Sequence, residues 1–190
     1  MINPYIDLRK AYRFLQDFHK RLRSNQLMLV KEIDPTFNFV KMEPMGNDTP
    51  GFGQAFQIKW ISDYFPLLNH RIIWASEQKS TLITLDTYMD SDAYDYMHTE
   101  EADLDAKKMA PAEQSSSFIH VYLYRFEKYP ENLMEAFNQS EYCEPFDKVV
   151  QMNNMLQIAV RVDLTELNNI TEVTIKLKNA YQKLNSAKMG

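Results

Sequence analysis

The sequence predicts an α+β fold, with a mainly antiparallel sheet of four or more strands flanked by a long N-terminal helix and a C-terminal helix. Three observations lead there. An apolar stripe at helical spacing runs from Leu8 to Ile33, and a second closes the chain from Ile170 to Leu184. Between them, β-branched and aromatic runs alternate with polar stretches. Those runs are not regularly interleaved with helices, which argues against a doubly wound parallel sheet.

Asn3-Pro4 reads as a helix start, because Asn can cap and Pro suits the first turn. Leu8, Tyr12, Leu15, Phe18, Leu22, Leu29 and Ile33 then share one helical face, with Arg9, Arg13, Lys20 and Arg23 off it. Asp34-Pro35 should stop the pattern, since a residue before proline avoids the α region. An unbroken helix over residues 4–33 would be about 45 Å long. Two alternatives follow: the helix protrudes, or it breaks near residues 24–25 and Leu27-Met28-Leu29-Val30 begins a strand.

Residues 37–53, with Pro44, Gly46, Asn47, Asp48, Pro50 and Gly51, read as a long loop that can hold a short strand at Phe37-Asn38-Phe39-Val40. Phe56, Trp60 and Tyr64 fit helical spacing while Phe56, Ile58 and Trp60 fit strand spacing; the helix is preferred, and Pro66 ends that window. Residues 71–75 and 81–85 read as a hairpin. Residues 86–105 are acidic and irregular, and 106–117 form a polar loop. The run Phe118-Ile119-His120-Val121-Tyr122-Leu123-Tyr124-Arg125-Phe126 is apolar on both faces and belongs at the centre of the sheet. A short helix is expected over residues 130–137, an irregular stretch over 138–147 and a strand over 155–163. Asn169 should cap the final helix, whose stripe is Ile170, Val173, Leu177, Tyr181 and Leu184.

The 190 residues fit one domain, residues 1–190. That length can bury about 70% of the unfolded surface, enough for a core without staples. Cys143 is the single cysteine, so no internal disulfide forms and a reducing, cytoplasmic setting is expected. The N-terminus acquires charge before any apolar run, which is unlike a secretory signal, and no apolar run reaches the roughly 20 residues of a membrane span. Four glycines, none in a phosphate-cradling pattern, argue against P-loop and ordinary dinucleotide-binding enzymes.

Charge is uneven. Residues 1–33 carry seven basic and three acidic side chains, residues 34–169 carry 10 and 22, and residues 170–190 carry four and one. Basic helices lying against an acidic body would explain this within one fold. The sharper expectation is that the acidic middle meets another protein with a basic surface, where complementary fields speed encounter. Its contact residues would be Tyr88, Asp90, Asp92, Tyr94, Asp95, Tyr96, Glu100 and Glu101, tyrosine giving area at low entropy cost. A calcium loop fits less well: from Asp90 as position 1, Tyr94 and Asp95 fall where an oxygen ligand and a glycine belong. A plain solvated loop is the blander alternative.

Other chemistry is thin. Asp63, Glu77 and Lys79 have the order of a D…ExK nuclease site, in which two carboxylates hold magnesium and the lysine assists the attacking water. The motif is short, and Glu77 falls in the expected hairpin turn. Glu141 and Glu144 disfavour a Cys143 thiolate. His19, His70, His98 and His120 show no zinc-site spacing. The basic helix face lacks an aromatic stacking set for nucleic acid; a protruding N-terminal helix could pack against a copy of itself or against another subunit's helix. The expectation is therefore a non-enzymatic protein-binding module such as an inhibitor, immunity protein or accessory subunit. It would need no cofactor, and the alternative is the metal-dependent nuclease.

Overall fold

The computed structural model describes residues 4–44, 69–78, 80–91, 111–130 and 146–189. Helix α1 (Pro4–Ile33) leads into β1 (Asn38–Pro44), β2 (Asn69–Ala75) and β3 (Thr81–Tyr88). Strands β4 (Phe118–Phe126), β5 (Val149–Met152) and β6 (Met155–Asp163) follow, then α2 (Ile170–Ser186). The strands form one antiparallel sheet in the order β1-β2-β3-β4-β6-β5. The α+β arrangement and the central position of β4 are as the sequence predicts.

Helix α1 is unbroken. Ser24, at the suspected break, donates its hydroxyl to the Lys20 carbonyl one turn back at 3.0 Å, so it does not divert the chain. Leu29, Val30 and Ile33 are buried while Met28 is exposed, so this segment follows helical and not strand periodicity. The helix stops where expected: the Asp34 carboxylate accepts from the Thr36 amide at 2.8 Å, forming a local turn ahead of β1.

One face of the sheet carries both helices. Leu22, Leu29 and Val30 of α1 and Val173, Leu177, Ala180 and Leu184 of α2 pack on Ile72, Trp74, Ile83, Leu85, Val121, Leu123, Ile158 and Val160. The helices also meet each other. Lys178 pairs with Glu32 at 3.0 Å, and the Tyr181 hydroxyl donates to Asp34 at 3.0 Å. The opposite face buries a second cluster that includes Ile73, Leu82, Tyr122, Tyr124, Phe126 and Ala159.

Three features depart from the sequence-based outline. Strand β3 runs on to Tyr88, so Asp86 and Thr87 belong to the sheet and not to the acidic loop. Strand β5 was not expected; it pairs with β6 across the two-residue turn Asn153-Asn154, with Asn153 at φ 47°. Asn169 makes no side-chain cap. A 3-10 turn over Leu164–Asn169 precedes α2 instead, and Glu166 reaches back to the Asp163 amide at 2.8 Å. The expected elements over residues 54–66 and 131–137 lie outside the described residues.

Leu177 is fully buried under the sheet, so Leu177→Ala should cost about 2–5 kcal/mol in urea unfolding through lost transfer energy and a cavity. Ile175→Ala, on the exposed side of the same helix, should stay within about 0.5 kcal/mol.

Candidate functional site

The stripe that docks α1 on the sheet does not end where the docking ends. Stepping back from Ile33, the inward positions are Val30, Leu29, Gln26, Arg23, Leu22 and His19, all buried. The same helical face continues through Leu15, Tyr12, Leu8 and Tyr5. There the burial stops. Leu8 is 53% exposed, Tyr12 60% and Tyr5 70%, and residues 5–17 are exposed apart from Leu15, which is partly buried. Over about 20 Å this amphipathic helix thus leaves Leu8 and Tyr12 of its apolar seam exposed, with none of the described strands packed on them. Phe14 adds a further exposed ring and stacks on Phe18 with centroids 6.4 Å apart.

Arg9 borders this seam and Arg13 follows further round on the same side, whereas Lys10 falls on the opposite face of the helix. Asp7 pairs with Lys10 at 3.5 Å and Asp17 with Arg21 at 2.8 Å. Both are exposed pairs along the helix, which contribute little to stability and leave the flank basic.

Where α1 meets the sheet, its inward stripe turns polar. Gln26 Nε2 donates to Thr87 Oγ1 at 2.7 Å and lies 3.3 Å from His70 Nε2. Arg23 Nη1 contacts Met42 Sδ at 3.0 Å. His19, Arg23, Gln26, His70 and Thr87 are all buried. Burial depresses His19 and His70, and the Arg23 charge adds to both shifts, with His19 adding to that of His70. Arg23 is lowered to about 10 by burial, so it stays charged at neutral pH. The expectation that Arg23 lies off the packed face is corrected here. Sequence reasoning missed this cluster because a lone arginine at the edge of an apolar stripe reads as solvated; the available signal was Gln26 standing between Leu22 and Leu29.

The other face of the sheet carries a cross-strand row. Arg71 of β2, Asp86 of β3, His120 of β4 and Arg161 of β6 stand in register on adjacent strands. Arg71 grips Asp86 in a two-pronged pair, Nε to Oδ1 at 2.7 Å and Nη2 to Oδ2 at 2.5 Å. His120 sits among Tyr88, Phe118 and Phe146, with ring centroids 4.6–5.2 Å away. The Tyr122 hydroxyl is 3.2 Å from its Nδ1. Burial, and then the Arg161 charge, hold His120 at about 4. Arg161 in turn lies over the Phe118 ring at 4.0 Å. A histidine so depressed is a weak base near neutrality, and the carboxylate beside it is already held by arginine. The row braces four strands and does not form a nucleophile–base–acid relay.

Of the residues read from sequence as contacts, Tyr88 is buried and stacks on Phe118 with centroids 4.8 Å apart, so its ring meets its own sheet. Asp90, just beyond β3, accepts from the Ser115 hydroxyl. Asp92, Tyr94, Asp95, Tyr96, Glu100 and Glu101 lie outside the described residues. Of the nuclease candidates, Glu77 is exposed in the β2–β3 turn, while Asp63 and Lys79 lie outside the described residues. Among the described residues, no group of three His, Cys, Asp or Glu side chains could hold a metal ion, and no helix is long and apolar enough to cross a membrane.

The model of one protein family, PM0109, matches residues 3–188, a span that takes in the overhanging half of α1 as well as the sheet and α2. No curated protein and no solved structure matches the chain.

Proposed function

The chain belongs to the PM0109 family, and from that premise we propose that it is a protein-binding module, an inhibitor, immunity protein or accessory subunit that grips its partner with the overhanging half of α1. The observation that carries the proposal is the exposure of Leu8 and Tyr12, on a seam continuous with the stripe that docks the same helix on the sheet. An amphipathic helix presenting such anchors is the ligand half of a helix-in-groove contact.

The charge pattern selects the occupant. With Arg9 beside the seam and Arg13 further round on the same side, the complementary surface is an apolar groove with an acidic rim on a different protein. Self-pairing of two overhangs in antiparallel fashion would bring these basic flanks together, which disfavours the homo-oligomer considered from sequence. The acidic, Tyr-bearing stretch beginning at Asp90 supplies a second contact in this proposal, toward a basic patch. The single cysteine supports a cytoplasmic setting for the pair.

The test uses the full chain, tagged in its own cells, with native mass measurement of what it carries. A stoichiometric protein partner is expected. The Leu8→Glu/Tyr12→Glu double variant should lose it by at least 100-fold in affinity, about 2.7 kcal/mol, while its thermal midpoint stays within a few degrees because both sites are exposed. A wild-type chain that travels alone, or a double variant that retains its partner, would overturn the proposal. So would association only with lipid vesicles or nucleic acid.

A further inference from the structure

A buried guanidinium ordinarily faces a carboxylate. Arg23 does not. It is 6% exposed, its polar contact among the described residues is the Met42 thioether, and no carboxylate among them pairs with it. Two more basic side chains sit beside it, His19 one turn earlier on α1 and His70 on β2, and both are buried. Among the described residues, the groups that hydrogen-bond or contact Arg23 and His70 from α1, β1 and β3 are Gln26, Met42 and Thr87, none of which carries a negative charge.

The hydrogen-bond pattern points the same way. The Gln26 amide nitrogen is a donor, so where it meets His70 Nε2 that nitrogen must accept. The neutral ring then carries its proton on Nδ1. That atom is buried and has no hydrogen-bond partner. Among the described residues, an unpartnered ring N–H and a guanidinium without a carboxylate therefore share one cluster, in which the Gln26 amide oxygen is also buried without a partner; the two donors lack an acceptor with negative charge.

We propose that Arg23, with His19 and His70 beside it, forms a binding site for a single oxyanion, of the carboxylate or phosphate class, between α1 and the β1–β2 side of the sheet. The guanidinium fork takes two oxygens of either group side by side, and the imidazoles add N–H donors around it. The site is separate from the overhanging seam, and it stands whether or not that seam binds a protein.

The experiment is a titration of the full chain with sodium phosphate and, separately, sodium acetate, against sodium chloride at equal ionic strength. Thermal midpoint and titration calorimetry are the readouts. One of the two oxyanions should raise the midpoint saturably, with a dissociation constant of about 1 mM or tighter, and chloride should not match it. Saturation by phosphate alone assigns the phosphate class, and saturation by acetate alone assigns a carboxylate. Arg23→Met should abolish the effect and leave the unliganded protein as stable as before, since a thioether chain fills the same volume without a charge. Arg23→Lys, which keeps the charge and loses the fork, should bind at least threefold more weakly, and it decides the matter if the methionine variant does not fold. No saturable response to either oxyanion, or wild-type affinity in both variants, would overturn the site.

Discussion

Arg71→Ala is expected to destabilise the protein by about 3–5 kcal/mol, the usual consequence of stranding one partner of a buried ion pair. Asp86 has a side chain only 2% exposed, in the middle of the sheet, and Arg71 holds both of its oxygens. Without that guanidinium, the carboxylate must either stay ionised away from water or take up a proton. The loss should shrink in acid, since protonation removes the charge that burial penalises. Urea unfolding at pH 7 and pH 4 measures both effects. The double variant Arg71→Met/Asp86→Leu should recover most of the stability, because an apolar pair of similar volume carries no desolvation penalty. A cost below 1 kcal/mol for Arg71→Ala at pH 7 would show that the pair contributes little to the sheet.

The second large effect is loss of stability in mild acid. His19, His70 and His120 are all held below the ordinary histidine value of 6.5, chiefly by burial, with His120 at about 4. In the unfolded chain they take up protons near pH 6.5, whereas in the folded protein they resist. The unfolded state then binds more protons, so stability rises with pH. What they contribute is present above about 6.5 and is lost progressively down toward 4, with a slope of up to about 1.4 kcal/mol per pH unit for each histidine. The Asp34 carboxyl, which the Thr36 and Tyr181 hydrogen bonds hold below its ordinary 3.8 despite burial, acts in a lower window and does not mask this. Unfolding midpoints at pH 7.5, 6.5, 5.5 and 4.5 should fall steadily. His70→Gln should flatten the profile, since an amide keeps the Gln26 contact without titrating. A profile level from 7.5 to 5 would contradict the assignment.

What could be read from sequence was what depends on period. The stripes of α1 and α2 are local patterns, and each survives in the structure with its spacing intact. Strand β6 is legible because Leu156, Ile158, Val160 and Val162 alternate with Gln157 and Arg161. Strand β5 is four residues long and only partly buried, too short to show a period; its one signal was the Asn153-Asn154 turn. Asp86 reads as the first residue of an acidic loop because nothing local announces its partner. Arg71 lies 15 residues earlier and meets it only once the β2–β3 register is set. The Arg23 cluster failed for the same reason, since Met42, His70 and Thr87 come to it from three different strands. The overhang of α1 was half legible. Its length implied protrusion or a break, and choosing between them required knowing that Leu29 and Val30 both face the sheet.

The contact between α1 and α2 joins residues almost 150 positions apart, as Glu32 with Lys178 and Asp34 with Tyr181. On a ribosome adding roughly 5–20 residues per second, α1 would emerge on the order of ten seconds before α2 exists to lie alongside it. The sheet that both helices cover is incomplete over most of that interval, since β6 immediately precedes α2. A nascent chain therefore carries an amphipathic, basic helix without its packing partner until α2 has emerged.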